Sequence, residues 1–190
     1  MAQAKTLTLT ELRRVLDYVA TRKHAARNRC LVLITHLAGM RVGEVAALTY
    51  AHVLNAEGSV RDQIPLSANE TKGRHPRAVF VSPRLRKEIA AYVAAIPPKN
   101  PSVALFYTQK CPERGFTANT LTQFFLTLYA RAGIEGASSH SGRRSFATAL
   151  AAKGTGIRVL MRLMGHRNIA VTATYIDAND DMLRNAVALL

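Results

Sequence analysis

The sequence is poor in several residue types and patterns whose absence excludes whole classes of protein. It has no tryptophan and only two cysteines, Cys30 and Cys111, which match no metal-ligand spacing and are too few for a disulfide framework. No apolar run approaches the ~20 residues that a membrane-spanning helix needs, and the first ten residues lack a signal-peptide core. We therefore expect a cytoplasmic protein without a membrane anchor.

Acidic residues are also scarce. Asp and Glu number 12 against 26 Lys and Arg, which gives a formal net charge of +14. A cationic surface gains free energy by displacing the counterions condensed on nucleic acid, so the charge indicates a polyanionic partner. A basic cytosolic protein or a ribosomal component would carry a similar charge, and composition alone leaves these alternatives open. The length of 190 residues fits one domain with its own hydrophobic core.

Capping signals and apolar periodicity predict a mostly helical chain. Thr8 and Glu11 have the spacing of a capping box, Gly39 is suited to end a helix, and Ser82 followed by Pro83 is a typical helix start. The predicted helices cover about residues 8–19, 25–38, 42–48, 83–96, 121–133, 143–153, 157–164 and 178–190.

Between Val53 and Val81 the pattern changes to short β-prone segments. Ser59 to Leu66 and Arg77 to Val81 are such segments, and a polar stretch that includes Lys72 and Gly73 joins them. The predicted fold class is therefore α+β, mostly α with a small antiparallel β-sheet.

Four segments combine the residue types that phosphate chemistry requires. They are Gly39–Glu44, Thr71–Arg74, Ser139–Thr148, and Leu163–Asn168 followed by Tyr175. Together they resemble the catalytic signature of the tyrosine recombinases, the phage integrase family. In that family an arginine follows the second helix, a lysine lies in a β-hairpin, a His-x-x-Arg begins a later helix, and a Gly-His precedes a tyrosine by nine residues. The residues at these positions are Arg41, Lys72, His140, Arg143, His166 and Tyr175.

The resemblance implies a site-specific DNA recombinase, or integrase, that cleaves and rejoins DNA through a 3′-phosphotyrosyl intermediate on Tyr175. The family's lysine protonates the departing 5′ oxygen, so this role would belong to Lys72, and the covalent intermediate allows ligation without ATP. No cofactor is expected. The sequence has no Gly-x-x-x-x-Gly-Lys-Ser/Thr loop, and the acidic cluster Asp177, Asp180 and Asp181 is interpreted as a cap for a terminal helix rather than a metal site.

The chemistry itself calls for these residue types. Cleaving a phosphodiester builds negative charge on non-bridging oxygens, which Arg41 and Arg143 would stabilise with planar guanidinium groups, while His166 would add a donor. A tyrosine phenol with an ordinary pKa near 10 costs roughly 4 kcal/mol to ionise at neutral pH. His140 is the candidate to accept that proton, because histidine titrates near neutrality. Glu44 is interpreted either as orienting Arg41 or as an ordinary helix ion pair.

Two residues depart from the family pattern. Arg144 stands where most members have histidine and is a candidate for a further phosphate contact, and Gly142 replaces a common leucine. Residues 1–190 are expected to form a single catalytic domain, with the family's N-terminal core-binding domain absent. The expected partner is double-stranded DNA, on which a chain that is monomeric in solution would form a homotetramer through its C-terminal helix.

Other functions remain open from sequence alone. A type IB topoisomerase shares the tyrosine, arginines and lysine but relaxes supercoils. The Gly165-His166 pair favours a recombinase, because type IB enzymes resembling this fold often have Lys or Asn at that position. A catalytically inactive DNA-binding regulator or an RNA-binding protein would share the basic charge, and the intact set of six residues argues against decay of the catalytic site.

Overall fold

The computed structural model describes residues 4–71, 74–98, 100–109, 114–176, 183–184 and 187–188. Within these ranges the helices are α1 (Leu9–Ala20), α2 (Ala25–Ala38), α3 (Val42–Ala47), α4 (Tyr50–Val53), α5 (Pro83–Ala95), α6 (Ala118–Arg131), α7 (Ser141–Ala152), α8 (Ile157–Met164) and α9 (Ile169–Ala173). Strands β1 (Gln63–Leu66) and β2 (Arg77–Phe80) pair antiparallel, with Ile64 opposite Val79. The predicted fold class, mostly α with a small antiparallel sheet, is confirmed.

The capping signals act as the sequence predicted. The Thr8 hydroxyl accepts the backbone N–H of Glu11 at 3.1 Å, and the Glu11 carboxylate accepts the N–H of Thr8 at 2.9 Å, so two N–H groups at the start of α1 are satisfied. The Ser82 hydroxyl likewise accepts the N–H of Leu85 at the start of α5. Helix α2 ends at Gly39, which adopts the left-handed conformation with φ of 61°.

Helix α2 lies at the centre of the domain and packs against α1, α5 and α7. Its contact with α7 depends on two glycines. A Cβ on Gly142 would lie 2.9 Å from the Cβ of Thr35, and a Cβ on Gly39 would lie within 2.9 Å of the Phe146 ring. The leucine that is common in the family at position 142 would therefore not fit between α7 and α2 without moving the helices apart.

The structure corrects several predicted boundaries and adds two short helices. Strand β1 begins at Gln63 rather than Ser59, because the preceding residues turn back on the end of α4, where Arg61 donates its backbone N–H to the Val53 carbonyl. Helix α7 begins at Ser141 rather than Arg143, and α3 ends at Ala47 rather than Leu48. Helices α4 and α9, of four and five residues, are too short to leave an apolar repeat in the sequence.

The region that carries His166 and Tyr175 has a small core of its own. Ala147 and Ala151 of α7 and Leu160 and Met164 of α8 form a buried cluster, and Tyr175 packs against it. This cluster is separate from the main core of the domain. A few apolar contacts therefore position the last part of the described chain.

Several predictions concern residues outside the described ranges. These are Lys72, Cys111, the acidic cluster of Asp177, Asp180 and Asp181, and most of the terminal helix predicted over residues 178–190. Cys30 is buried in the main core, and burial raises the pKa of its thiol. None of the described helices combines the length and the apolar character needed to cross a bilayer.

Candidate active site

Two cavities contain most of the candidate catalytic residues. The first, called here the arginine cavity, has a volume of about 460 Å³. Its lining residues come from the start of α3, the β-hairpin and the segment after α8: Arg41, Thr71, His75, Pro76, Arg77, Gly165, His166 and Arg167. The second, the tyrosine cavity, has a volume of about 430 Å³ and is lined by Ala4, Gly136, Ser138, His140, Arg144, Thr174 and Tyr175. The two cavities meet at a ring contact, because His166 of the first stacks with Tyr175 of the second at a centroid distance of 5.7 Å.

A buried carboxylate holds two arginines at the wall of the arginine cavity. Glu44, only 1% exposed, accepts a hydrogen bond from Nη1 of Arg41 at 3.0 Å and one from Nη2 of Arg77 at 2.7 Å. Arg77 also donates from Nε to Glu44 and from Nη1 to the Leu163 carbonyl at 2.9 Å. Glu44, Arg41 and Arg77 thus form an ion triad that connects α3, β2 and the end of α8. This triad fixes the Arg41 guanidinium beside the arginine cavity.

The charge state of Glu44 follows from this arrangement. Burial by itself would raise the pKa of the carboxyl, but the hydrogen bonds and charge of Arg77, followed by those of Arg41, outweigh burial and lower the pKa below its ordinary value of 4.5. Glu44 is therefore a carboxylate at neutral pH.

Arg143 lies behind this cavity and is 3% exposed. Its Nη1 donates to the Gly39 carbonyl at 2.5 Å, and its Nη2 donates to the Met164 carbonyl at 2.5 Å and to Nε2 of His166 at 3.0 Å. Among the described residues these acceptors engage three of its five N–H groups, and Nε–H and the second N–H of Nη1 are the groups that an incoming phosphate could use. Burial, and next the charge of Arg41, lower the pKa of Arg143 to about 9, so the guanidinium remains cationic at neutral pH.

His166 connects Arg143 to the segment that carries the tyrosine. Its Nδ1 lies 2.9 Å from the hydroxyl of Thr172, a residue of α9 that is fully buried. Burial, and then the charges of Arg143 and Arg41, lower the pKa of His166 to about 4. The imidazole is therefore neutral at physiological pH.

Tyr175 lies close enough to Arg143 for their charges to interact. A negative charge on the Tyr175 phenolate would raise the pKa of Arg143. The Arg144 guanidinium lies 5.7 Å from the centroid of the Tyr175 ring, and its Nε donates to the Thr6 hydroxyl at 3.1 Å. His140, at the N-cap of α7, lines the same cavity as Tyr175. A cation and a titratable imidazole thus share one cavity with the phenol.

The structure brings together five of the six residues that the sequence singled out. Arg41, Arg143, His166 and Tyr175 are connected by the contacts above, and His140 lies with Tyr175 in the tyrosine cavity. Lys72 lies outside the described residues, although its neighbour Thr71 lines the arginine cavity.

Sequence reasoning missed Arg77 and Thr172. Arg77 is the first residue of a short strand, and Thr172 lies in a helix of five residues. Arg77 has no spacing signal, because it acts through a contact with Glu44, 33 residues earlier in the chain. Thr172 lies only six residues after His166, but a single threonine at that spacing is not distinctive in a sequence. The sequence left two roles open for Glu44, orientation of Arg41 or an ordinary helix ion pair. In the structure Glu44 binds Arg41 and also Arg77.

The chain segment that carries His140, Arg143, His166 and Tyr175 has charged side chains of one sign only. Residues 137–176 contain six Lys and Arg side chains and no Asp or Glu. Glu44 is buried, so its charge is shared between Arg41 and Arg77 rather than presented to solvent. This part of the molecule is therefore suited to a polyanionic ligand.

Comparison with known proteins places the chain in a wider group. A sequence model of the phage integrase family matches residues 5–182. Tyrosine recombinase XerA of Thermococcus kodakarensis is 30% identical over 184 residues, which are 96% of this chain and 61% of that protein. The chain thus spans about three fifths of the length of this relative.

Solved structures share the same fold. A crystal structure of XerA recombinase superimposes with a TM-score of 0.75 at 23% identity, covering 100% of this chain and 64% of that one. XerH site-specific recombinase, bound to palindromic difH substrate in a post-cleavage complex, superimposes with a TM-score of 0.68 at 26% identity, covering 96% of this chain and 52% of that one.

Proposed function

The chain belongs to the phage integrase family, and on that premise we propose that it is a catalytic domain of a site-specific DNA recombinase that cleaves and rejoins DNA through a 3′-phosphotyrosyl intermediate. The observation that carries the proposal is the arrangement around His166: this residue lines a cavity with Arg41, accepts a hydrogen bond from Arg143 and stacks on the ring of Tyr175. Arg41, Arg143 and the pair of His166 and Tyr175 come from three separate segments, which become neighbours only through folding.

In the proposed reaction the Tyr175 oxygen attacks the scissile phosphorus. The new bond joins that oxygen to phosphorus, the bond from phosphorus to the 5′ oxygen breaks, and the phenolic proton passes to His140. Arg41 and Arg143 stabilise the charge that develops on the non-bridging oxygens. Lys72 protonates the departing 5′ oxygen. Because the phosphodiester energy is kept in the phosphotyrosyl bond, a second 5′ hydroxyl can reverse the step and rejoin the strands without ATP.

The proposed partner is double-stranded DNA. The net charge of +14 and the acid-free stretch over residues 137–176 support a polyanionic ligand, and the XerH relative is bound to its difH substrate. We further propose that the protein is a monomer in solution and forms a homotetramer on DNA through residues near its C-terminus. Gel filtration with and without bound DNA tests this assembly, and an unchanged stoichiometry on DNA would contradict it.

Trapping of the covalent intermediate tests the proposed activity. A duplex selected from a random-sequence library by binding to the protein would be nicked close to the cleavage position, so that a short fragment diffuses away and the intermediate cannot reverse. The wild-type chain is expected to give a protein–DNA adduct that resists denaturation, and Tyr175→Phe is expected to give none. An adduct of equal yield with Tyr175→Phe would show that another residue is the nucleophile.

The same preparation separates recombination from simple relaxation. A topoisomerase would relax supercoiled plasmid that lacks the selected sequence, whereas the proposed recombinase acts only where that sequence is present. Relaxation at equal rates with and without the sequence would contradict site-specific recombination.

A further inference from the structure

The hydrogen bonds around His166 define the position of its proton. The Nε2 atom lies 3.0 Å from Nη2 of Arg143, and an arginine side chain has five N–H donors and no acceptor. Nε2 must therefore accept this hydrogen bond with its lone pair. Since the ring is neutral, its single proton lies on Nδ1.

That proton has one acceptor among the described residues, the hydroxyl of Thr172 at 2.9 Å. Thr172 is 0% exposed, so a water molecule cannot take the place of its hydroxyl as the acceptor of this proton. Without an acceptor at this position, a buried N–H would lose a hydrogen bond in the observed tautomer. The alternative tautomer would carry a proton on Nε2 and direct it at an Arg143 donor.

We infer that Thr172 is a positioning residue, whose hydroxyl holds the His166 proton on Nδ1 and so keeps Nε2 available to orient the Arg143 guanidinium. The inference rests on the proposed function, because it assigns Thr172 an effect on cleavage through Arg143. Arg143 Nη2 is fixed from two sides, by the Met164 carbonyl and by His166. Because Nη1 stays bonded to the Gly39 carbonyl, loss of the His166 contact removes one of three hydrogen bonds that fix the guanidinium and loosens the geometry that the phosphate requires.

The location of Thr172 gives this contact a further consequence. Thr172 lies in α9, three residues before Tyr175, and the backbone N–H of Tyr175 donates to its carbonyl at 3.0 Å. One residue thus contacts His166 through its side chain and the nucleophile through its backbone. Placement of α9 therefore couples the position of the tyrosine to the tautomer of the histidine.

Nitrogen NMR of the whole chain without DNA tests the tautomer directly. With ¹⁵N-labelled histidine at pH 7, the wild type is expected to show His166 protonated at Nδ1 and unprotonated at Nε2. Thr172→Ser, which keeps the hydroxyl, is expected to give the same pattern. Thr172→Val, which has nearly the same shape, is expected to shift the proton to Nε2 or give a mixture of both tautomers. A wild-type ring protonated at Nε2 would overturn the inference whether or not any variant folds.

Trapping on nicked DNA measures the effect on cleavage. Thr172→Val is expected to form the adduct about tenfold more slowly or worse, and Thr172→Ser to recover most of the loss. Thr35→Val is the matched control, because Thr35 is also a buried helical threonine and its hydroxyl donates to the backbone carbonyl of Val32. The control is expected to leave both the His166 spectrum and the adduct rate unchanged.

The outcomes separate this inference from the proposed function. If the wild type forms no adduct, the proposed function fails, while the NMR pattern still tests the contact to Thr172. If the wild type forms the adduct and Thr172→Val forms it equally fast with an unchanged spectrum, the positioning role fails and the proposed function stands.

Discussion

Replacement of Glu44 by glutamine changes one atom of the site and removes the charge that holds two arginines. In the wild type the carboxylate binds Arg41 and Arg77, and Arg77 in turn connects β2 to the Leu163 carbonyl. Glutamine keeps the shape and one oxygen acceptor, but its amide nitrogen would face a guanidinium donor. Two cations would then lie close together without a counter-charge.

The expected loss of unfolding free energy follows from the burial of Glu44. Removing one partner of a fully buried ion pair costs about 3 to 5 kcal/mol, mostly from the charge that remains unpaired. The side chain of Arg77 is 10% exposed and that of Arg41 is 23% exposed. Because water can partly hydrate both guanidinium groups, we expect the cost of Glu44→Gln to lie at the lower end of that range. A loss of about 3 kcal/mol corresponds to a decrease in Tm of about 6 to 12 °C for a domain of this size.

Thermal unfolding monitored by circular dichroism measures this loss, with Glu88→Gln as the matched control. Glu88 also forms a bidentate pair, with Arg29, but Arg29 is 43% exposed and neither residue lines the arginine cavity or the tyrosine cavity. A pair of this kind contributes about 1 kcal/mol or less. Equal decreases in Tm for the two variants would refute the structural role of the triad.

The pH dependence gives an independent check of the same charge. Because the folded pKa of Glu44 lies below its ordinary value of 4.5, its contribution to stability is fully present above about pH 4.5. That contribution is lost as pH falls through the lower, folded pKa. The difference in unfolding free energy between wild type and Glu44→Gln should therefore be constant above pH 5 and shrink in more acidic solution. A difference that grows on acidification would contradict a depressed pKa.

Further predictions concern the charge, the metal requirement and the packing of the site. Arg143→Lys is expected to slow adduct formation about 100-fold or more and to weaken DNA binding far less, and equal losses would contradict a transition-state role. EDTA is expected to leave the rate of adduct formation unchanged, whereas a loss restored by Mg²⁺ would demonstrate a metal requirement. Gly142→Leu is expected to cost about 3 kcal/mol in urea unfolding, because α7 contacts Thr35 at this position. Gly156→Ala, which meets no atom within 4 Å, is its control, and equal costs would exclude close packing.

Much of the fold could be predicted because its signals are local. Thr8, Gly39 and Ser82 determine where helices begin or end through contacts within four residues, and the structure shows those contacts. The first strand was predicted too early because β-prone residues near Val60 use their backbone groups in a turn against α4, a contact that alternation in sequence does not reveal. Short helices such as α9 depend on packing and caps more than on periodicity.

In the candidate site, too, residues with a sequence pattern could be predicted and residues that depend on contacts between segments could not. Arg41, Arg143, His166 and Tyr175 could be singled out because the family pattern fixes their spacing, and their catalytic roles stay predictions. Arg77 was not found, since its role arises from a contact with Glu44, 33 residues earlier in the chain. The sequence also could not predict which ring nitrogen of His166 has the proton. The donor role toward phosphate that the sequence suggested for this histidine stays a prediction, and the structure adds a contact in which its Nε2 accepts a hydrogen bond from Arg143.

Mapping the trapped bond identifies both the nucleophile and the DNA end that is joined to the protein. Trypsin digestion of the adduct releases residues 168–184, in which Tyr175 is the only tyrosine, and mass spectrometry locates the attached nucleotide. The account predicts a 3′-phosphate ester on Tyr175 and a free 5′ hydroxyl on the released strand. A bond to any other residue, or a 5′-phosphate link to the protein, would contradict it.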